Sequence, residues 1–231
     1  MRYALYFTPP HDDPLTALAG RWLGRDAFTG KTFAAAATGD LDAEERLRTT
    51  EEPRRYGFHA TLKAPFELAA SVTERDLMDV AAEFAEKTPA FTLPELALGQ
   101  LGRFFALVPG DLYPALQTFS ADVVRSFEPF RAALSDADIA RRKPEQMDEA
   151  HRANLLRWGY PYVMEQFRFH MTLTGQVEPE RQEAVAAVLR ETFADHIGRP
   201  LVISGLAVFV EEMRGAPFTI RSWLPLRHAQ S

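Results

Sequence analysis

Phe58-His59-Ala60-Thr61-Leu62 recurs as Phe169-His170-Met171-Thr172-Leu173, 111 positions further on in a chain of 231 residues, and this half-chain repeat limits the folds open to the sequence. Side chains of a strand alternate between its two faces. Phe58, Ala60 and Leu62 then share an apolar face that belongs in a core, while His59, Thr61 and Lys63 share the other. In the second copy Phe169, Met171 and Leu173 point inward, and Arg168, His170, Thr172 and Thr174 line the opposite face. Each strand therefore carries a titratable ring, a hydroxyl and a neighbouring cation in one row. A single His-x-Thr is common by chance, but two copies within matching apolar frames are not.

The surroundings of the two copies also match. Tyr3–Thr8 reads as a strand stopped by Pro9-Pro10, and a helix capped by Asp12-Asp13 before Pro14 runs to Leu23. That capping role accounts for His11-Asp12-Asp13 better than a metal site does. Residues 25–52 have no clear period. After the first histidine strand, placed at Phe58–Phe66, come an amphipathic helix (Thr73–Lys87) and two strands (Leu93–Leu98, Arg103–Val108) about a turn at Gly99 and Gly102. Helices are predicted at Asp111–Phe127 and Pro144–Trp158. The second histidine strand, Phe167–Thr174, is likewise followed by a helix (Pro179–Phe193) and two strands (Leu201–Val210, Phe218–Leu224). Leu93 lies 34 residues beyond His59, and Ile203 lies 33 beyond His170. Such a repeat predicts an α+β fold. The two halves are expected to be pseudo-symmetric, with helices packed outside two small, mainly antiparallel sheets and the two histidine strands facing each other across the seam. The whole of 1–231 forms one domain, with repeat halves at roughly 1–110 and 103–231.

Composition removes several function classes. Cysteine is absent, which excludes a disulfide scaffold, a zinc–thiolate site, an iron–sulfur centre and a thiol nucleophile. No run approaches the roughly 18 apolar residues that span a bilayer, and residues 1–10 lack the pattern of a secretory signal. A cytoplasmic location is the expectation, without membrane attachment. A net charge of −6 speaks against indiscriminate nucleic-acid binding. Arg54-Arg55 and Arg141-Arg142-Lys143 are the two basic clusters, each ordinarily a solvated turn. His151, His196, His228 and Tyr113 stand outside any repeated context and read as surface residues.

The paired segments about His59 and His170 resemble the two-histidine (2H) phosphoesterase superfamily, named for two His-x-Thr/Ser motifs. The fuller wording, Arg55-Tyr56-Gly57-Phe58-His59-Ala60-Thr61-Leu62-Lys63-Ala64-Pro65-Phe66 together with Trp158-Gly159-Tyr160-Pro161-Tyr162 ahead of Phe169-His170-Met171-Thr172-Leu173, is similar to a bacterial branch often encoded near phosphonate-utilisation genes. The resemblance implies two lobes around a cleft and cleavage of phosphodiesters, commonly cyclic ones.

The residue types suit that chemistry independently. Ring opening needs a base for water and an acid for the departing oxygen, tasks that two imidazoles divide, one neutral and one protonated. Thr61 and Thr172 hydroxyls suit the equatorial phosphoryl oxygens, where charge gathers. His59, Thr61, His170 and Thr172 are thus the candidate catalytic residues. Lys63 and Arg168 are candidate phosphate contacts, and Tyr56, Tyr160 and Tyr162 candidate stacking residues for a base or sugar. No cofactor or metal is expected, and the expected partner is a small phosphorylated substrate. RNA end processing or ligation, and phosphometabolite binding without turnover, are the competing readings. The sequence leaves the substrate, the oligomeric state and the identity of the acid and the base open.

Overall fold

The computed structural model describes residues 1–228. In chain order its regular elements are β1 (Arg2–Phe7), α1 (Pro14–Leu23), α2 (Ala43–Thr49), α3 (Glu51–Tyr56), β2 (Ala60–Phe66), α4 (Glu74–Lys87), β3 (Phe91–Leu93), β4 (Leu96–Leu101), β5 (Phe104–Pro109), α5 (Pro114–Phe127), α6 (Asp136–Arg141), α7 (Glu149–Trp158), β6 (Met171–Thr172), α8 (Gln182–Thr192), β7 (Leu201–Ile203), β8 (Gly205–Glu211) and β9 (Thr219–Pro225). The fold is α+β with antiparallel sheets.

Local chemistry sets the helix starts. The Asp13 carboxylate accepts from the Leu15 N–H with Pro14 in the first turn, so this acid caps α1. Thr73 and Asp76 form a reciprocal capping box at the start of α4.

Seven strands form one sheet in the order β4-β5-β6-β2-β1-β8-β9, and β3 pairs with β7 in a second. Without β9, the larger order reads symmetrically about the β6/β2 junction: β6 answers β2, β5 answers β1 and β4 answers β8. That junction is a single antiparallel pair, Ala60 opposite Met171, the residues that directly follow the two histidines. The smaller sheet joins counterparts too, with Phe91 opposite Ile203 and Leu93 opposite Leu201. The two small sheets of the sequence reading therefore meet edge to edge at the histidine strands.

One face of the large sheet carries Tyr3, Leu5, Phe7, Ala60, Leu62, Met171 and Leu173 into the main core, which also takes in buried side chains of α1, α4, α5 and α8. Fully burying an aliphatic or aromatic side chain of this kind is worth roughly 1.5–3 kcal/mol, so this face fixes the orientation of the opposite one. That opposite face has only a small cluster around Ala4, Tyr6, Phe209 and Phe218, and it leaves room for a cavity.

Several element boundaries differ from the sequence reading. The strand expected over Phe167–Thr174 keeps ladder pairing only at Met171–Thr172, because the Leu173 and Thr174 amides both turn onto the Phe105 carbonyl. Leu93–Leu98 and Leu201–Val210 each divide into two strands, β3 with β4 and β7 with β8, that enter different sheets. The unassigned stretch 25–52 holds two short isolated bridges and the helix α2, and runs into α3.

Candidate active site

The register at Ala60 and Met171 places His59 abreast of Thr172, and Thr61 abreast of His170, on the face away from the core. His59, Thr61 and Thr172 lie on the wall of a cavity of about 550 Å³, together with Tyr6, Tyr56, Tyr160 and Tyr162. The connections leading into the two histidine strands roof it: α3 supplies Glu52, Pro53 and Tyr56, and the stretch after α6 supplies Arg142, Met147, Tyr160, Pro161 and Tyr162. His170 stands beside these residues, abreast of Thr61, with its ring 5.8 Å from that of Phe104 on the wall.

Both imidazoles are held in the same manner. His59 Nδ1 lies 2.9 Å from the Gly57 carbonyl, and His170 Nδ1 lies 2.7 Å from the Arg168 carbonyl, each two residues upstream. A carbonyl only accepts, so Nδ1 must carry the proton and donate it, which leaves each Nε2 as the reactive nitrogen. His59 Nε2 is 3.2 Å from the Thr61 hydroxyl.

Gly57 is needed at its position. Its φ of 79° and ψ of 178° fall in a region essentially confined to glycine, and an added Cβ would stand 2.6 Å from that of Ala27. The carbonyl that fixes His59 is therefore presented by a backbone conformation that other residues resist.

Burial lowers both rings. The His59 imidazolium is disfavoured by desolvation, against which the Gly57 carbonyl pulls up and the His170 charge pushes further down, to about 4. Tyr6 contributes to that desolvation by stacking on the ring at 3.9 Å between centroids. His170 is also lowered by desolvation, with its Arg168 hydrogen bond opposing. Tyr160 is pushed up to about 12, chiefly by burial, so it is a neutral phenol across the working range.

Two candidate phosphate contacts lie elsewhere. Lys63 leaves the cleft face because register shifts in the β1–β2 ladder break the alternation: Leu5 pairs with Lys63, and the next residue, Tyr6, pairs with Thr61. Its ammonium is buried on the core side, 2.7 Å from the Glu128 carboxylate and 3.4 Å from the Val124 carbonyl. Arg168 precedes the two-residue β6, so no ladder holds it in the row of His170 and Thr172. It is exposed and lines a separate surface groove with Tyr113 and Gln117. Thr174 does reach the cavity wall, but its hydroxyl is spent on the Phe105 amide and the Gly175 carbonyl.

Tyr6, Arg2 and Arg142 are among the wall residues that escaped the sequence reading. Tyr6 sits in an alternating strand whose outward face was unassigned. Arg2 begins that strand, and Arg142 belongs to the basic cluster ordinarily read as a solvated turn. The cluster itself was the available signal for Arg142, and nothing local marked the other two. Of the first cluster, Arg54 ties α3 to the Leu23 and Leu47 carbonyls, and Arg55 pairs with Glu211. Among the described residues no group of three or more His, Asp or Glu side chains gathers as a metal site, and no helix is long and apolar enough to cross a membrane.

Several solved structures align along nearly the whole chain. One is the protein TT0787 of Thermus thermophilus, at 14% identity with all of both chains covered and a TM-score of 0.47. Another is Escherichia coli LigT complexed with 3′-AMP, at 13% identity over 98% of each chain and a TM-score of 0.44. Among curated proteins, a ribose 1,5-bisphosphate phosphokinase PhnN of Janthinobacterium sp. (strain Marseille) is 34% identical over 221 residues, 94% of this chain and 49% of its own length. The protein of the same name in Laribacter hongkongensis (strain HLHK9) is 33% identical over 228 residues, 95% of this chain and 50% of its own. The chain thus spans about half the length of these curated relatives. A family model described as "Protein of unknown function (DUF1045)" matches residues 61–219, well over half of the sequence, and the chain belongs to that family.

Proposed function

We propose that this chain is a metal-independent phosphodiesterase that opens a small cyclic phosphodiester of a sugar or nucleoside, with His59 as base and His170 as acid. The observation that carries the reading is the pairing of the two histidine strands at Ala60 and Met171, which sets both His-x-Thr units side by side across a pseudo-symmetric junction. The matching Nδ1 contacts, which leave both Nε2 atoms for proton transfer, support it.

We take the roles from the environment of the two rings. His59 lies under the stacked Tyr6 and is held at about 4 chiefly by desolvation, so it is the ring less disposed to keep a proton, while the reciprocal repulsion of two imidazoliums holds the pair at one proton. In the singly protonated pair the proton therefore sits on His170, and neutral His59 takes a proton from water. Thr61 and Thr172 donate to the equatorial phosphoryl oxygens. The curated relatives are named for a ribose bisphosphate, which favours a ribosyl cyclic phosphate over other diesters.

A panel of cyclic and linear phosphodiesters followed by phosphorus NMR should yield a monoester product from at least one ribosyl cyclic phosphate. Chelator is expected to leave the rate within about twofold, since imidazoles alone supply the acid and the base. Loss of turnover in chelator that returns with added zinc or manganese would refute the scheme.

The pH dependence follows from the downward shifts. The active form carries one proton on the pair, and both rings give up their protons at lower pH than free imidazole. The optimum of kcat/KM is therefore expected below pH 6.5, falling about tenfold per unit on the alkaline side as His170 loses its proton. An optimum above pH 7.5 would contradict that order of events.

A further inference from the structure

Five arginines line the small recess beside the cavity, Arg2, Arg131, Arg141, Arg142 and Arg214, and of these Arg2 and Arg142 lie on the wall of both. Four of them have carboxylate partners. Arg2 pairs with Glu211, Arg131 with Glu128, Arg141 with Asp138, and Arg214 with Glu67 and Asp138. Arg142 is in no ion pair among the described residues. Its aromatic neighbour is Tyr160, with the guanidinium 5.8 Å from the ring centroid, and it is half-buried on the cavity wall. A desolvated guanidinium without an anion is costly, and a planar fork of donors matches a phosphate well.

Arg2 reinforces the charge. It lies on the wall of both the cavity and the recess, and it shares the single carboxylate of Glu211 with Arg55. Two guanidiniums on one carboxylate leave a net positive charge there. Glu52 is the one acidic side chain on the cavity wall among the described residues. A cavity of about 550 Å³ also has more room than a five-membered cyclic phosphate fills.

We propose that Arg142, helped by Arg2, forms a second anion subsite in this cavity, so that the substrate is a cyclic phosphodiester bearing a further phosphate monoester on its alcohol part. The inference rests on the phosphodiesterase reading for the first phosphoryl position, at Thr61 and Thr172, but its own binding test does not depend on turnover. Arg142 then recognises the non-reacting phosphate, and Tyr160 covers the sugar between the two positions.

Two measurements test it. A nucleoside 2′,3′-cyclic phosphate is compared with the same compound phosphorylated on its 5′-hydroxyl. The parent is expected to prefer the phosphorylated compound at least 30-fold in kcat/KM, and Arg142→Met to reduce that preference below about threefold, with Arg142→Lys intermediate. Equal kcat/KM for the two compounds in the parent, or a preference unchanged in Arg142→Met, overturns the subsite while leaving the phosphodiesterase reading intact. Inorganic phosphate is then titrated by calorimetry into the parent and into Arg142→Met, both checked for folding by circular dichroism. Two phosphates per parent chain and one per variant chain support the subsite even if no diester is cleaved, in which case the phosphodiesterase reading fails alone. Fewer than two in the parent, or two in the variant, overturns it.

Discussion

His59→Ala and His170→Ala are each expected to lower kcat/KM for the cleaved diester by about 10³-fold, within the 10²–10⁴ range typical of removing a positioned acid or base. The two losses should not multiply. Base and acid act in one concerted displacement, so the double variant is expected near 10³–10⁴ rather than 10⁶, with residual turnover from the threonine hydroxyls and the enclosing wall. The signature that separates catalysis from folding is the pH profile. Without His170 the alkaline limb should flatten, because the group whose deprotonation causes it is gone. Without His59 the acid limb should flatten instead. His59→Ala should also gain stability at low pH: the parent ring is held at about 4 while the unfolded chain takes up its proton near 6.5. Acidification through that window costs the parent up to roughly 3 kcal/mol, and the variant is spared this. Variants that stay folded and keep full turnover on every substrate of the parent would remove the histidines from the mechanism.

The rows of His59 with Thr61, and of His170 with Thr172, were legible in the sequence because strand alternation needs only a buried neighbour on every second residue. Phe58, Ala60 and Leu62, and Phe169, Met171 and Leu173, provide it. The repeat set the two histidine strands facing each other across a seam between two sheets; their direct pairing within one seven-stranded sheet, through Ala60 and Met171, is what the structure adds. Lys63 was misplaced for a reason that alternation cannot express. The register shifts in β2 turn Lys63 to the core, where α5 offers the Val124 carbonyl and Glu128 follows at its end. No feature of Leu62-Lys63-Ala64 announces that, since the shift answers the packing of β1 and α5.

Arg168 shows the complementary limit. A two-residue strand carries the period only one step in either direction, and the chain ahead of His170 runs without ladder partners. Arg2, Tyr6 and Arg142 were illegible as a group because they come from β1 and from the end of α6, more than 130 residues apart. Only the β1–β8 and β1–β2 ladders and the covering stretch after α6 bring them to one wall.

Glu211→Ala is expected to cost about 3–5 kcal/mol, the range for stripping a buried ion pair of one partner, against a total stability of about 5–15 kcal/mol for a domain. The carboxylate is fully buried at the end of β8, opposite Arg2 in the ladder. It accepts from Arg2 Nε at 2.5 Å, from Arg55, and from the Gly215 N–H at 2.9 Å. Alanine leaves two guanidiniums facing each other with no anion between them. At about 2–4 °C per kcal/mol for a chain of this size, the melting temperature should fall by roughly 10 °C. Glu211→Gln keeps an acceptor and the shape, so its loss should be smaller, and pH separates its charge from its packing. Burial pushes the Glu211 carboxyl up, but Arg2, the Gly215 N–H and Arg55 outweigh it, and its pKa lies below the ordinary glutamate value. A depressed carboxylate stabilises the fold above its unfolded pKa and loses that contribution as pH falls through the folded one. The gap in melting temperature between parent and Glu211→Gln should therefore hold steady from pH 8 to about 5 and narrow below about 4.5. A gap unchanged at pH 3 would mean that the carboxylate charge contributes nothing.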